Sequence, residues 1–274
     1  QGNMVLQETD ELLWGRGGHG GTFQALAGSG LLEVMRNEGR DLLSYFQVDN
    51  PLVTVADPRY LGHHLTADAD FSCKVIPKRD PSEGLGIAVL QDGHPDIVEY
   101  SDVPDEIASE RGPNGRLRFL YGSIAIHIID VPFVERVAQM DALRWHVANK
   151  QYEYYDVEEG KSIYPDEKNC YKFERFIFDA LAFADECAFV EVQREKEFAP
   201  VKNAEGEDSP ETARHLMQRL WLQWLKQAGV DVEIPREFDE PMIEISPLFA
   251  RTAEELADKL PDDFEPEFPL VLEE

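Results

Sequence analysis

Six places in this chain carry residue types and spacings that could do chemistry. Gly15 to Leu26 reads Gly-Arg-Gly-Gly-His-Gly-Gly-Thr-Phe-Gln-Ala-Leu, with five glycines in the first seven residues and a helical pattern behind them. Backbone free of side chains at a helix start lets N–H groups approach a ligand closely, and the helix dipole favours negative charge there. The other five are Asp49 at a strand end, Gly84-Leu85-Gly86, Glu99 on a hairpin strand, a strand interrupted by Gly122-Ser123, and Lys202 between Pro200 and Asn203. Taken singly, each has a plainer reading. The glycine run suits a surface loop, Asp49 a turn, Glu99 a solvated strand face and Lys202 a linker charge. The glycine run matches neither the Walker pattern nor a Rossmann fingerprint, since no Gly-Lys-Thr/Ser follows it and no clear buried strand precedes it.

Nucleophilic and zinc chemistry find little support. The sequence has no Gly-x-Ser-x-Gly elbow, and Cys73 and Cys187 fall in strand-like runs where buried structural thiols are common. His63 and His64 are adjacent on a helix and point in different directions, which suits surface or packing roles. His127 and His215 stand alone in apolar patterns, and no cluster has zinc-ligand spacing. The net charge of −28 excludes nucleic acid or an anionic membrane as the main partner, because both need a basic face. A phosphorylated small molecule remains compatible, since one or two lysines in a cleft can serve it. Three widely spaced cysteines without a C-x-x-C point to a reducing compartment, the cytoplasm. No apolar run approaches the length of a membrane span. The sequence opens at Gln1 without a methionine, in what reads as the middle of a strand (Met4 to Leu6), so a piece of a longer protein is expected.

The elements that must position these residues alternate between strand and helix. Thr22 to Glu38 reads as a helix interrupted at Gly28-Ser29-Gly30, Leu42 to Val48 as a strand, and Asp57-Pro58 as the start of a helix through about Thr66. Phe71 to Ile76 is a strand, Ile87 to Leu90 and Ile97 to Tyr100 form a hairpin, and Leu117 to Ile129 is a long strand. Helices are expected from Pro132, over Ala142 to Lys150, and through Phe173 to Ala184, with a strand over Ala188 to Val192. Near residue 205 the composition turns polar and acidic. A helix from Ser209-Pro210 and a last one capped at Thr252 then suggest a small C-terminal domain with an acidic tail. The expected organisation is therefore an α/β domain with a largely parallel or mixed sheet over residues 1–205 and a second unit over 206–274.

The order of the local motifs is more specific than any one of them. Gly18-His19-Gly20-Gly21, Val48-Asp49-Asn50-Pro51-Leu52-Val53, Val98-Glu99-Tyr100-Ser101 and Gly122-Ser123-Ile124-Ala125-Ile126-His127 resemble segments of the eukaryotic-type UDP-sugar pyrophosphorylase family. So do Phe173-Glu174-Arg175-Phe176-Ile177-Phe178-Asp179, Pro200-Val201-Lys202-Asn203-Ala204, Thr212-Ala213-Arg214-His215 and Glu244-Ile245-Ser246-Pro247-Leu248. The resemblance is colinear from about Gly2 to Leu248 and is greatest to the UDP-N-acetylhexosamine pyrophosphorylase branch. It implies a Rossmann-like, GT-A-like nucleotidyltransferase sheet flanked by helices, and a Mg²⁺-dependent reaction of UTP with a sugar 1-phosphate to give UDP-sugar and pyrophosphate. It implies that Gly18 and His19 face the nucleotide and that Asp49 holds Mg²⁺. Gly86, Glu99, Tyr100, Ser123, Phe176 and Phe178 would line the sugar, and Lys202 would reach the phosphates as the catalytic cation.

Three departures from the family pattern accompany the resemblance. His19 stands where the N-acetylhexosamine branch usually has asparagine, and Ser123 stands where that branch usually has asparagine after the glycine. Both changes leave the sugar open between an N-acetylated and a plain hexose. The family's N-terminal Gly-Gly-x-Gly-Thr-Arg-Leu-Gly loop does not occur in these residues, so the chain by itself is expected to turn over poorly. A glucose-1-phosphate enzyme of broad specificity and a binding module that kept the sugar pocket without catalysis are the competing readings.

Overall fold

A computed structural model describes residues 4–15, 17–238 and 240–273. A small hairpin, β1 (Leu6–Glu8) with β2 (Glu11–Leu12), leads into the glycine run. Behind it α1 (Thr22–Ser29) and α2 (Leu31–Asn37) meet at Gly30, whose φ of 78° breaks what would otherwise be one helix. Next come β3 (Leu42–Tyr45) and α3 (Pro58–Thr66), where Asp57 accepts the Arg59 N–H as N-cap and Pro58 takes the first turn. Then follow β4 (Phe71–Pro77) and the hairpin of β5 (Ile87–Gln91) and β6 (His94–Val98), turned by Asp92 and Gly93 at positive φ. The short α4 (Asp105–Ala108), the long β7 (Tyr121–Asp130) and α5 (Val131–Met140) complete this half.

The sheet is mixed, as expected. Its order is β12–β4–β7–β5–β6, with β12 (Cys187–Glu191) parallel to β4 and the other pairs antiparallel. Alternation along the strands sorts its two faces. Phe71, Cys73, Val75 and Ile129 join α1, α2, α5 and the segment around Ile177 on one side. Ile76, Ile124, Ile126 and Ile128 meet Tyr60 of α3 and Phe198 on the other. After α6 (Arg194–Glu197), α7 (Pro210–Gln227) starts from a reciprocal Ser209–Thr212 cap. With β13 (Ile243–Ile245), α8 (Ala253–Lys259) and β14 (Leu270–Leu272), it encloses a core of its own around Leu222, Leu225, Ile243 and Leu256.

One irregularity positions the site. On one edge of β7, β3 pairs with residues His127 to Asp130 and β5 pairs at Gly122, so the stretch between them has no ladder partner on that edge. On the other edge, the register with β4 jumps from Cys73↔His127 to Val75↔Ser123. Three residues of β7 (Ile124, Ala125, Ile126) therefore oppose Lys74 alone, and Ala125 takes a φ of 55° to fit. A bulge of this kind bends the strand and re-aims its side chains.

Several sequence expectations give way to long-range pairing. Residues 142–150 are not helical: His146–Lys150 forms β8, paired with β11 (Cys170–Glu174). Between these strands lies the small hairpin of β9 (Tyr154–Asp156) and β10 (Lys161–Ile163). The apolar spacing from Phe173 splits into the end of β11 and a 3₁₀ segment, Ile177–Phe183, in which Ile177, Ala180 and Phe183 repeat every three residues. The strand expected to reach Val48 ends at Tyr45, and the one expected from Leu117 begins at Tyr121.

Candidate functional site

A cavity of about 240 Å³ opens at the unpaired stretch of β7. Its lining includes His19, Gly86, Glu99, Tyr100, Ser123, Phe176, Phe178 and Lys202, eight residues that the family resemblance implies for the site. Gln47, Gly84, Leu85, Ile124, Ala125 and Phe198 complete it; four of these fall in segments the sequence already marks, and only Gln47 and Phe198 carry no signal there. The gap between β3 and β5 gathers these segments. Gln47 follows the end of β3, Gly86 precedes β5, and Ser123 leads into the bulge that supplies Ile124 and Ala125. Crevices beyond strand ends where the sheet order breaks are where α/β folds hold ligands.

The glycine run is fixed by its partner rather than left loose. Arg175 N–H bonds Gly17 O at 2.8 Å and Gly20 N–H bonds Arg175 O at 2.8 Å. A Cβ on Gly18, which has a φ of 79°, would lie 2.3 Å from Arg175 O, and one on Gly20 would lie 2.7 Å from the Arg175 carbonyl carbon. Gly18 is thus a close-packing position and is not part of the cavity wall. Between these glycines His19 accepts the Ile177 N–H on Nδ1 at 3.0 Å, and its ring lies 5.2 Å from Phe176 and 5.8 Å from Phe178. With Nδ1 accepting, the neutral ring carries its proton on Nε2 and has one donor to offer. Burial lowers its pKa to about 4 against the pull of Asp179 and Glu174, so the ring is neutral near pH 7.

Beneath it His127 is fully buried, and neither ring nitrogen has a hydrogen-bond partner among the described residues. Its ring stacks on Tyr45 at 5.6 Å and meets Phe71 at 5.0 Å, and burial drives its pKa to about 3. The unfolded chain protonates both histidines first as pH falls. Stability from these sites is therefore full above about 6.5 and is lost as pH drops toward 4 for His19 and 3 for His127. His127→Phe keeps the ring contacts and has no nitrogen to protonate. It should flatten the fall in Tm over that acid range without lowering Tm near neutral pH; an acid slope equal to wild type would contradict this.

Two charged residues, Glu99 and Lys202, line the cavity. Burial and then Asp102 raise the Glu99 pKa, while His146 and Lys202 pull it the other way. The Lys202 side chain is exposed, and its backbone is pinned by an N–H bond to Asp208 O at 2.7 Å. Asp49 lies outside the lining, half-buried, and its carbonyl accepts the Val201 N–H at 2.8 Å, one residue before Lys202. Burial and then the nearby Asp49 charge push the Tyr45 hydroxyl up to about 12. Asn50 adds two more stitches to the Lys202 segment, giving Nδ2–H to Glu197 O and accepting the Ala199 N–H.

Below the bulge, Lys74 is 1% exposed and bonds Asp57 at 2.9 Å and Glu197 at 3.0 Å, with the Tyr60 ring 4.9 Å away. The two carboxylates respond differently. For Asp57, bonds from Lys74 and backbone N–H groups outweigh burial and lower the pKa, whereas for Glu197 burial outweighs Lys74 and raises it. One further constellation has a nucleophilic look: His64 Nδ1 lies 2.7 Å from Ser72 Oγ and His64 Nε2 lies 2.8 Å from Asp130. Ser72 and His64 are buried in the core, so this is a packing tether that no substrate reaches.

Comparison with known proteins then places the chain. Residues 3–262 match the UDPGP family, described as UTP–glucose-1-phosphate uridylyltransferase, and the chain belongs to that family. It is 36% identical over 289 residues to the UDP-N-acetylhexosamine pyrophosphorylase-like protein 1 of Xenopus tropicalis, covering 99% of this chain and 56% of that protein. It is 31% identical to the UDP-N-acetylglucosamine pyrophosphorylase of Saccharomyces cerevisiae, over 93% of this chain and 54% of the yeast protein. The solved uridine diphosphate N-acetylglucosamine pyrophosphorylase of Trypanosoma brucei superposes with a TM-score of 0.78 at 25% identity, over the whole chain and 58% of that structure. The chain spans about half the length of the curated relatives it matches.

Proposed function

We propose that the protein is a uridylyltransferase that joins UTP and a hexose or N-acetylhexosamine 1-phosphate into UDP-sugar and pyrophosphate. The observation that carries this is the convergence of His19, Gly86, Glu99, Tyr100, Ser123, Phe176, Phe178 and Lys202 on one cavity. In this reading a phosphate oxygen of the sugar 1-phosphate attacks the α-phosphorus of UTP. The new P–O bond forms as the bond to the β-phosphate oxygen breaks, and pyrophosphate leaves. The attacking oxygen is already anionic, so no general base is needed, and the site has to align two anions and screen their charge.

Lys202 supplies a compact point charge to the phosphates. His19, neutral and donating from Nε2, serves an acceptor on the nucleotide or sugar-phosphate side. Phe176 and Phe178, 5.1 Å apart and stacked, wall the hexose opposite Glu99 and Tyr100. Ser123 Oγ accepts the Ala125 N–H at 3.3 Å, which leaves its hydroxyl proton for a sugar oxygen.

Among the described residues no group of three or more His, Cys, Asp or Glu is placed to hold a metal. Magnesium needs no such cage, because it binds through one or two carboxylates with substrate phosphates and water. Asp49 fits that role as a hard oxygen donor beside the Lys202 segment, and the ion would supply further charge screening of the phosphates. Asp49→Asn should shift the Mg²⁺ titration of the full-length protein to higher concentration; an unaltered titration would leave Asp49 as a turn residue.

The reading is tested by pyrophosphate release from UTP with a panel of sugar 1-phosphates, using the full-length protein. Release with any of them is expected, and UDP-sugar binding without release would favour a binding module. A plain hexose is a specific second possibility. Ser123 offers a single hydroxyl where an amide would offer both donor and acceptor, so the panel includes glucose 1-phosphate beside its N-acetylated counterpart.

A further inference from the structure

Behind the cavity wall runs a chain of charged side chains. Asp96 on β6 accepts from Arg144 at 3.4 Å, and Arg144 Nε donates to Asp179 Oδ1 at 2.9 Å. His146 Nε2 lies 2.9 Å from Asp179 Oδ2, and His146 Nδ1 lies 3.0 Å from Asp102 Oδ2. Asp179 is almost fully buried and His146 largely so, whereas Asp102 is half-exposed. Each ring nitrogen of the imidazole thus faces a carboxylate oxygen.

The position of the ring gives it a task. Its centroid lies 4.6 Å from that of Phe176, on the wall that also carries His19 and Phe178. Asp102 ends the short 3₁₀ turn Tyr100–Asp102, and its N–H bonds Glu99 O at 2.9 Å, so holding Asp102 also holds Glu99 and Tyr100. Asp179 lies in the 3₁₀ segment that follows Phe176 and contains Phe178. His146 therefore packs on Phe176 while bridging Asp102, which follows Glu99 and Tyr100, and Asp179, which follows Phe178.

We propose that His146 is a positioning residue that sets the gap between the Glu99–Tyr100 wall and the Phe176–Phe178 wall, and thereby governs binding on the sugar side. This rests on the uridylyltransferase reading for its substrate, but the clamp itself rests on geometry alone. Charged hydrogen bonds tie two otherwise separate segments, and Arg144 continues to pair with Asp179 when the imidazole is removed.

The test compares wild type, His146→Gln and Asp102→Asn in the full-length protein, using the sugar 1-phosphate that wild type accepts. Each variant should raise KM for the sugar 1-phosphate about tenfold, the effect of losing one charged hydrogen bond, while KM for UTP changes less than about twofold. The double variant should cost little more than either single one, since both act through one contact. Hydrogen exchange without ligand should quicken at the amides of Asp102 and Val103 and stay unchanged in β4 and β7. Wild-type sugar KM with unchanged exchange, or equal losses for both substrates with faster exchange throughout the sheet, would overturn the proposal. If wild type transfers uridylyl to no sugar 1-phosphate, the functional reading fails, and the exchange comparison still decides the clamp.

Discussion

Lys202→Ala should lower kcat/KM of the full-length protein in the proposed uridylyl transfer by roughly 10- to 150-fold, the loss expected for one charged hydrogen bond of about 1.5–3 kcal/mol. The substitution is clean because the backbone of Lys202 is held independently of its side chain. Its N–H and that of Asn203 both bond Asp208 O, at 2.7 and 3.0 Å, and Val201 is tied to Asp49. Truncation therefore removes an exposed ammonium from the cavity and leaves the loop in place, so Tm should not move. If the cation acts mainly as negative charge redistributes during transfer, kcat carries most of the loss; if it only docks phosphate, KM does. Steady-state kinetics with both substrates varied separates these, and an unchanged kcat/KM would remove Lys202 from the site.

The second large effect concerns stability. Lys74→Met should destabilise the fold by about 3–5 kcal/mol, because it strands two carboxylates that were buried against a cation. Asp57 and Glu197 have side chains only 18% and 16% exposed, so water cannot replace the ammonium. The loss is read as a lower urea midpoint with an unchanged m-value. Adding Asp57→Asn and Glu197→Gln to Lys74→Met removes the stranded charges and should recover part of the loss. A single variant as stable as wild type would mean that the methionine packing offsets the lost pairing. The triad joins α3, β4 and the end of α6, the approach to the Lys202 segment, so loosening it also bears on the site.

What could be read from the sequence follows the range of the interactions. The Asp57-Pro58 and Ser209-Pro210 helix starts are set by residues next to one another, and the structure has them where the sequence suggests. Residues 142–150 read as a helix because their own composition permits one. Their strand pairing with Cys170–Glu174 is a tertiary effect that a local pattern does not contain. The bulge at Ile124–Ile126 is likewise hidden, since it depends on Lys74 standing opposite. The lining residues with distinctive chemistry were recoverable as an ordered series of short motifs. No spacing links Asp96, Asp102, Arg144, His146 and Asp179, which meet only in three dimensions. Gly18 shows the remaining gap: its type signals close approach, but the partner is the Arg175 backbone rather than a ligand.

The seam between the glycine run and residues 174–177 bears on how the molecule is made. The His19–Ile177 bond joins positions 158 apart in sequence, and the neighbouring bonds to Arg175 are of similar span. Closing so long a loop has an entropic cost that only many native contacts can offset, and non-local contacts of this kind slow folding. On a nascent chain, His19 waits until the ribosome has delivered Ile177 before its tautomer is set. The sheet around β4 and β7 can consolidate earlier, from segments already present. Competence to hold a ligand therefore needs the chain at least through Lys202, whose segment supplies part of the cavity lining.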